Sequence, residues 1–184
     1  MSTYVRMMLP KRRTLFVDET KAKGFAFAVV SMPAGSMTQV RSELRALRAS
    51  GQRPLHFKNE SHSRRHRLLD VMISQGWRGI ILRSDVTNMR TARTACISGL
   101  LDLASELAAP AVVLELDESV EKYDRQDLYR FSQRVPLPRD FRYSLAPRHF
   151  EPGLWVADAV AWSFARGGDW RRRVEPIVAR VRGV

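Results

Sequence analysis

Apolar residues recur along the chain with two periods, which separate predicted strands from predicted helices. Short apolar runs bounded by polar residues are typical of strands, whereas apolar positions three or four residues apart indicate helices. The pattern predicts strands at 14–20, 25–32, 53–57, 77–86, 111–117 and 141–145. It predicts helices at 36–49, 60–76, 89–108, 123–135, 151–168 and 169–183, the last kinked or split at Pro176. Helices that alternate with strands in this way predict an α/β fold with a mixed central sheet.

The length and composition predict a single domain. The chain has 184 residues, of which 45% are hydrophobic and 27% are charged, so it is long enough to bury a core. We expect one domain over 1–184, with its core at about 14–168 and a basic C-terminal helix at about 169–183. No apolar run approaches the roughly 18 residues that span a bilayer. Cys96 is the single cysteine and is expected in the core; with no disulfide framework, a cytoplasmic location is favoured.

The net charge indicates a polyanionic partner. Lys and Arg number 31 against 19 Asp and Glu, which gives a net charge of +12, most of it from arginine. Arginine suits planar, two-pronged contacts with phosphate, so we expect nucleic acid as the partner. The alternative is that the arginine content reflects the base composition of the genome. Glycine-rich nucleotide-binding motifs, the G-x-S-x-G nucleophile motif and cysteine pairs for zinc are absent from the sequence.

Acidic residues stand at the ends of two predicted strands and on two predicted helices. Asp18 lies at the end of the first strand, and Glu115 and Asp117 share one face near the end of a later strand, because strand side chains alternate. Glu60 opens a helix, and Asp158 interrupts the apolar stretch "LWVADAVAW" inside another. Carboxylates that converge at one sheet edge require cations, for which Mg²⁺ or Mn²⁺ is suited. Two such ions, about 3.5–4 Å apart, would stabilise the attacking and leaving oxygens of a phosphodiester.

Several short motifs together resemble a known family. "LFVDET", "LHFKNE", "VVLELD" followed by "YDRQDL", and "HFEPGLWVADAVAW" occur in this order between about residues 14 and 174. In this combination they resemble an uncharacterised bacterial family of the ribonuclease H-like superfamily. The resemblance implies a ribonuclease H-like fold. The helix predicted at 36–49 is an insertion relative to the simplest superfamily members, which have three antiparallel strands in a row.

The resemblance also implies roles for particular residues. Superfamily enzymes carry an Asp in the first strand, a Glu on a helix, an acid at the end of the central strand and an Asp on a late helix. Matched by motif, these catalytic metal ligands fall on Asp18, Glu60, Glu115 and Asp158. A mobile histidine often precedes the last helix of the superfamily's ribonucleases, and His149 lies in that place. The resemblance implies that His149 assists proton transfer or product release.

Other residues have two possible interpretations. Asp117 is an alternative to Glu115 as a metal ligand, and Asp124 is a candidate for a residue that supports the metal ligands from behind without binding the metal. His62 and His66 lie one helical turn apart, which suits a metal, but an exposed basic face is the favoured interpretation. The candidates for binding the nucleic-acid backbone are Lys58, Arg64, Arg65, Arg171, Arg172 and Arg173. The last three could instead form a solvated helix face, with Trp170 packed inside.

The sequence therefore predicts a metal-dependent nuclease, or a related phosphoryl-transfer enzyme, that uses two Mg²⁺ or Mn²⁺ ions. The alternative is a non-catalytic module that binds nucleic acid and keeps the ribonuclease H-like fold. A scaffold that binds protein partners is a third and weaker possibility, and it would lack salt-dependent affinity for nucleic acid.

Overall fold

The computed structural model describes residues 12–22, 24–48, 51 and 54–184, and these residues form one mixed six-stranded sheet. The sheet order is β5-β4-β1-β2-β3-β6. β2 runs antiparallel to both of its neighbours, β1 and β3, whereas β4, β5 and β6 each run parallel to a neighbour. The strands are β1 (Arg13–Thr20), β2 (Phe25–Pro33), β3 (Arg78–Ser84), β4 (Ala111–Glu115), β5 (Arg142–Ala146) and β6 (Val178–Gly183). The prediction of an α/β fold with a mixed sheet is confirmed.

Helices cover both faces of this sheet. They are α1 (Met37–Ala46), α2 (His62–Ser74), α3 (Met89–Glu106), α4 (Glu121–Ser132), α5 (Gly153–Arg166) and α6 (Gly168–Val174). On one face, Leu15 and Val17 of β1 pack in a core with α3 and α4. On the other face, Phe16 packs in a second core with α1, α2, α5 and α6. Within the described residues, every helix is too short or too polar to span a bilayer.

The strand predicted at 53–57 is wrong over the described residues 54–57, and Arg53 lies outside the described residues. Leu55 and Phe57 are buried and His56 is half-buried, so the alternation that suggested a strand is present. The backbone, however, bonds to side chains instead of a neighbouring strand. The Phe57 N–H donates to Asp158, and the Phe57 carbonyl accepts from Arg65 at 2.9 Å. The segment continues as a 3₁₀ turn, Phe57–Asn59.

The helix predicted at 169–183 is wrong beyond Val174, where α6 ends. Pro176 has no N–H to donate, so it cannot continue the hydrogen-bond ladder of the helix. The chain then enters β6, which pairs in parallel with β3 at the edge of the sheet. Two exposed or half-exposed arginines of β6, Arg180 and Arg182, pair with Glu106, and charged residues are typical of edge strands.

These two corrections clarify the sheet. The row of three antiparallel strands is β1, β2 and β3, and both α1 and α2 lie between β2 and β3 in the chain. The helix predicted as an insertion at 36–49 is α1, and it precedes the third strand of this row.

Close packing of α5 on β1 brings the middle of that helix to the end of the strand. Gly153 opens α5, and a Cβ atom there would come within 2.5–2.7 Å of the ring of Phe16. Ala157, Ala159 and Ala161 are buried as well, and their small side chains allow a close approach. The approach brings Asp158 of α5 into the same cluster as Asp18 of β1.

Candidate functional site

Asp18 and Glu115 lie side by side at the ends of adjacent parallel strands. Val17 of β1 pairs with Leu114 of β4, and the two acids are the next residue along each strand. Both occupy the sheet face that carries Phe16 and Val113, against α5. Asp18 is 4% exposed, and the side chain of Glu115 is 21% exposed. Strand alternation therefore directs both carboxylates toward the same helix.

Asp158 reaches the same place from α5. Asp158 is 5% exposed, and its Oδ2 atom accepts a hydrogen bond from the Phe57 N–H at 2.8 Å. Nδ1 of His56 lies 3.1 Å from the same oxygen. The segment that was predicted as a strand thus fixes the position of Asp158.

A single guanidinium group, that of Arg148, contacts all three carboxylates. Its Nη2 atom lies 2.6 Å from Oε2 of Glu115 and 3.3 Å from Oδ2 of Asp18. Its Nη1 atom lies 3.3 Å from Oδ2 of Asp158 and also contacts Nδ1 of His56. We call Asp18, Glu115 and Asp158 the carboxylate cluster. Arg148 belongs to the segment between β5 and α5 and lies at the centre of this cluster.

The pKa values of Asp18 and Arg148 are both shifted at this site. Burial raises the pKa of Asp18 well above its ordinary value, and a hydrogen bond with Glu115 and the charges of Glu115 and Asp158 raise it further, against the opposing effect of Arg148. Burial lowers the pKa of Arg148, but the three carboxylates outweigh this, and the pKa of the guanidinium is raised overall. Asp18 therefore carries a charge at a free-energy cost, which a cation would reduce.

The cluster lines a cleft of about 1200 Å³. Lys21, Lys58 and Arg166 are exposed and line the same cleft, as does the half-buried Trp162. The basic side chains favour an anionic ligand in the cleft. The acids beside them favour cations, so an anion that binds together with metal ions suits both groups.

The structure brings together three of the four acids that the resemblance implied. Glu60 is buried, forms an ion pair with Arg64 at 2.7 Å, and does not line the cleft. Asp117 lines the cleft, but it lies beyond the end of β4 in a turn. Its carboxylate accepts from the hydroxyl and the N–H of Ser119, and the hydroxyl bond is the main reason that its pKa is lowered.

Two further candidates lie apart from the cluster. His149 is exposed, and its ring contacts the ring of Phe150 at 4.1 Å between centroids. Asp124 is fully buried in a two-pronged ion pair with Arg93, in the core on the opposite face of the sheet. Asp124 therefore lies on the other side of the sheet from the carboxylate cluster.

Most of the predicted backbone-binding residues have partners within the protein. Arg64 donates to the Leu47 carbonyl as well as pairing with Glu60, and Arg65 donates to the carbonyls of Phe57 and Lys58. On α6, Arg172 pairs with Asp169, Arg173 pairs with Asp70, and Arg171 lies over the ring of Phe164. Lys58 is the one of the six candidates that lines the cleft, as far as the described residues show.

The histidines of α2 form an aromatic group with Trp170. The rings of His62 and His66 lie 4.6 Å apart, and the Trp170 ring lies 5.1 and 4.7 Å from them. Trp170 also contacts Trp162, so it joins this surface group to the wall of the cleft.

Sequence reasoning missed Arg148 and His56 as site residues. Arg148 lies in a segment with no periodic pattern, among many other arginines, so no local signal distinguishes it. His56 did carry a signal, because it is a half-buried polar residue between the buried Leu55 and Phe57. Its Nδ1 atom lies 3.1 Å from Oδ2 of Asp158.

The donor chemistry of the carboxylate cluster fits a hard divalent cation, because Mg²⁺ and Mn²⁺ bind carboxylate oxygens. Among the described residues, no three Asp, Glu, His or Cys side chains are already arranged around an ion-sized point. In the cluster, the guanidinium of Arg148 lies between the oxygens instead. The residues that would hold an ion are Asp18, Glu115 and Asp158.

The comparisons with known proteins support the fold. No family model matches the chain, and no curated protein matches it. Among solved structures, the chain is similar to one described as the PCNA:RNase HII complex from Archaeoglobus fulgidus. The TM-score is 0.56 and the sequence identity is 14%, over 89% of this chain and 75% of that chain. The likeness shows that the chain has a ribonuclease H-like fold.

Proposed function

We propose that this protein is a metal-dependent nuclease that hydrolyses phosphodiester bonds in nucleic acid. The observation that carries the proposal is the convergence of Asp18, Glu115 and Asp158 on one guanidinium, inside a cleft of a ribonuclease H-like fold. Burying like charges this close together costs free energy, and groups arranged in this way are concentrated at functional sites.

The residues of the site divide into ligands and positioning groups. Asp18, Glu115 and Asp158 would hold two Mg²⁺ or Mn²⁺ ions, which when bound polarise the phosphodiester and stabilise the charge that develops on its oxygens. The Phe57 N–H donates to the carboxylate of Asp158 and fixes its orientation, and Nδ1 of His56 lies beside the same oxygen. Nδ1 of His56 lies 3.1 Å from Oδ2 of Asp158, so His56 is better placed to move a proton at the site than the exposed His149.

The charge of the cleft supports a nucleic-acid substrate. Lys21, Lys58 and Arg166 line it together with the cluster, and the chain as a whole carries a net charge of +12. The half-buried ring of Trp162 offers an aromatic surface beside these bases, on which a nucleobase could stack.

A non-catalytic nucleic-acid-binding module is the second candidate, and one observation favours it. Arg148 already balances the cluster, as a permanent counter-ion would in a protein that has lost its metals. In that case the fold and the basic cleft would bind nucleic acid without turnover.

The two candidates are separated by a cleavage assay with the purified protein. Labelled single-stranded RNA, single-stranded DNA, duplexes and RNA–DNA hybrids are incubated with Mg²⁺, with Mn²⁺ or with EDTA. A nuclease cleaves at least one substrate with a metal, stops with EDTA, and loses this activity when Asp158 is replaced (Asp158→Asn). Binding without metal-dependent cleavage of any substrate would refute the proposal and support the module. Cleavage that Asp158→Asn leaves unchanged would refute the assignment of the site.

A further inference from the structure

We infer that Arg148 and divalent metal ions compete for the same carboxylate oxygens, so that Arg148 sets the metal affinity of the site. The inference rests on the proposed function only in taking Asp18, Glu115 and Asp158 as the metal ligands. It assigns to Arg148 the role of a resident cation that metal binding displaces.

The contacts of Arg148 support competition directly. Its two terminal nitrogens lie 2.6–3.3 Å from Oδ2 of Asp18, Oε2 of Glu115 and Oδ2 of Asp158. An ion that binds these three oxygens occupies the space that the guanidinium fills. The two cations therefore exclude each other, and each lowers the apparent affinity of the site for the other.

The guanidinium of Arg148 is also not fully hydrogen-bonded at this site. Its Nε atom is buried and has no hydrogen-bond partner among the described residues, although an arginine offers five N–H donors. Buried donors without partners are rare in folded proteins because losing water without a replacement is costly. Displacement of the side chain would relieve this cost.

The backbone at Arg148 can stay in place while the side chain leaves. The carbonyl of Arg148 accepts a hydrogen bond from Nε1 of the buried Trp155 at 2.9 Å, which ties the segment to α5. The side chain itself is 18% exposed at the cleft that the cluster lines. Rotation about its side-chain bonds is therefore enough to bring the guanidinium into the cleft, where a substrate phosphate would meet it.

The test is a titration of the protein with Mn²⁺ alone, without nucleic acid, in which free Mn²⁺ is measured by electron paramagnetic resonance. Loss of a group that supports metal ligands weakens metal binding by about 10–100-fold. Arg148 competes for the ligands instead, so its removal (Arg148→Gln) should act in the opposite direction on a similar scale and tighten Mn²⁺ binding by at least about tenfold. A purely structural role predicts the opposite, because loss of a structural contact would loosen the ligands and weaken binding.

Two further variants complete the test. Arg125→Gln removes the same charge from an exposed residue that does not line the cleft, and should leave Mn²⁺ affinity within about twofold of the wild type. Arg148→Lys keeps the charge but loses the two-pronged group, so it should tighten binding to an intermediate degree. It also replaces Arg148→Gln if that variant does not fold, as judged by circular dichroism.

Equal or weaker Mn²⁺ binding by the folded Arg148 variants would overturn the inference, as would a lack of Mn²⁺ binding by every variant. These outcomes are independent of the cleavage assay. Tighter binding without cleavage would leave the inference standing and refute the nuclease, whereas cleavage with unchanged Mn²⁺ affinity would do the reverse.

Discussion

The N–H of Phe57 donates a hydrogen bond to Oδ2 of Asp158 at 2.8 Å, across 101 residues of chain. Because both groups are buried, loss of the acceptor leaves the amide unsatisfied. We expect Asp158→Ala to lower the free energy of unfolding by about 1–3 kcal/mol. Asp158→Asn keeps a carbonyl acceptor and should lose less. Urea unfolding of both variants measures the difference. Equal losses would show that this hydrogen bond does not hold the segment in place.

The raised pKa of Asp18 predicts that Asp18→Asn stabilises the protein without metal at neutral pH. An acid whose pKa is raised on folding contributes stability below its unfolded pKa and loses it as the pH rises through the folded value. In EDTA, the stability gain of Asp18→Asn should therefore be largest at neutral pH. It should shrink as the pH falls toward about 4, where the unfolded carboxyl also binds its proton. Thermal unfolding over this pH range measures it.

Asp117→Asn is the matched control, because the pKa of Asp117 is lowered, mainly by the hydroxyl of Ser119. A lowered pKa adds stability above the unfolded value and loses it as the pH falls through the folded value. Asp117→Asn should therefore destabilise the protein at neutral pH, with the opposite sign to Asp18→Asn. The same sign for both variants would contradict the account of the cluster's electrostatics.

The approach of α5 to β1 predicts that Gly153→Ala destabilises the protein. A Cβ atom at Gly153 would lie 2.5–2.7 Å from the ring of Phe16, which is fully buried and cannot move away freely. Overpacking of this kind costs about 1–3 kcal/mol. Gly35→Ala is the control, since a Cβ atom there meets nothing within 4 Å. Chemical denaturation compares the two, and equal stability would refute the close packing.

The burial of Cys96 predicts an inert thiol. Burial raises the pKa of the Cys96 thiol to about 12, and the residue is fully inaccessible to solvent. The thiolate is the reactive form, so the native protein should not react with a disulfide reagent at pH 8. The same protein unfolded in guanidinium should release one equivalent of thiolate dye. Rapid reaction of the native protein would contradict the burial.

Much of the fold could be predicted because its main strands and helices carry strong local patterns. The two errors arose where long-range contacts decide the structure. At Leu55–Phe57 the pattern of a strand is present, but the partners of its backbone are the side chains of Asp158 and Arg65, which the local sequence does not reveal. Beyond Pro176, the basic residues suit a helix or a strand equally, and pairing with β3 decides between them.

The candidate site was predictable in part for the same reason. Strand ends and the oddity of an acid in an apolar helix made Asp18, Glu115, Asp117 and Asp158 candidates. The family resemblance implied Asp18, Glu60, Glu115 and Asp158, and the structure brings Asp18, Glu115 and Asp158 together. Arg148 reaches the three carboxylates through tertiary contacts from a loop, and a loop residue has no periodic pattern from which these contacts could be predicted. The ion pair of Glu60 with Arg64 is likewise a contact that the motif "LHFKNE" does not specify.

The central claim is that the carboxylate cluster supports phosphodiester cleavage, and a comparison of Glu115→Gln with Glu118→Gln tests it most directly. Both glutamates line the cleft, but Glu118 makes no contact with Arg148, whereas Glu115 lies 2.6 Å from it. With saturating Mn²⁺ and the preferred oligonucleotide, Glu115→Gln should lower kcat by at least about 100-fold, the scale on which loss of a catalytic group acts. Glu118→Gln should stay within about threefold of the wild type, since surface charges act weakly. Equal activity of the two variants would contradict the account.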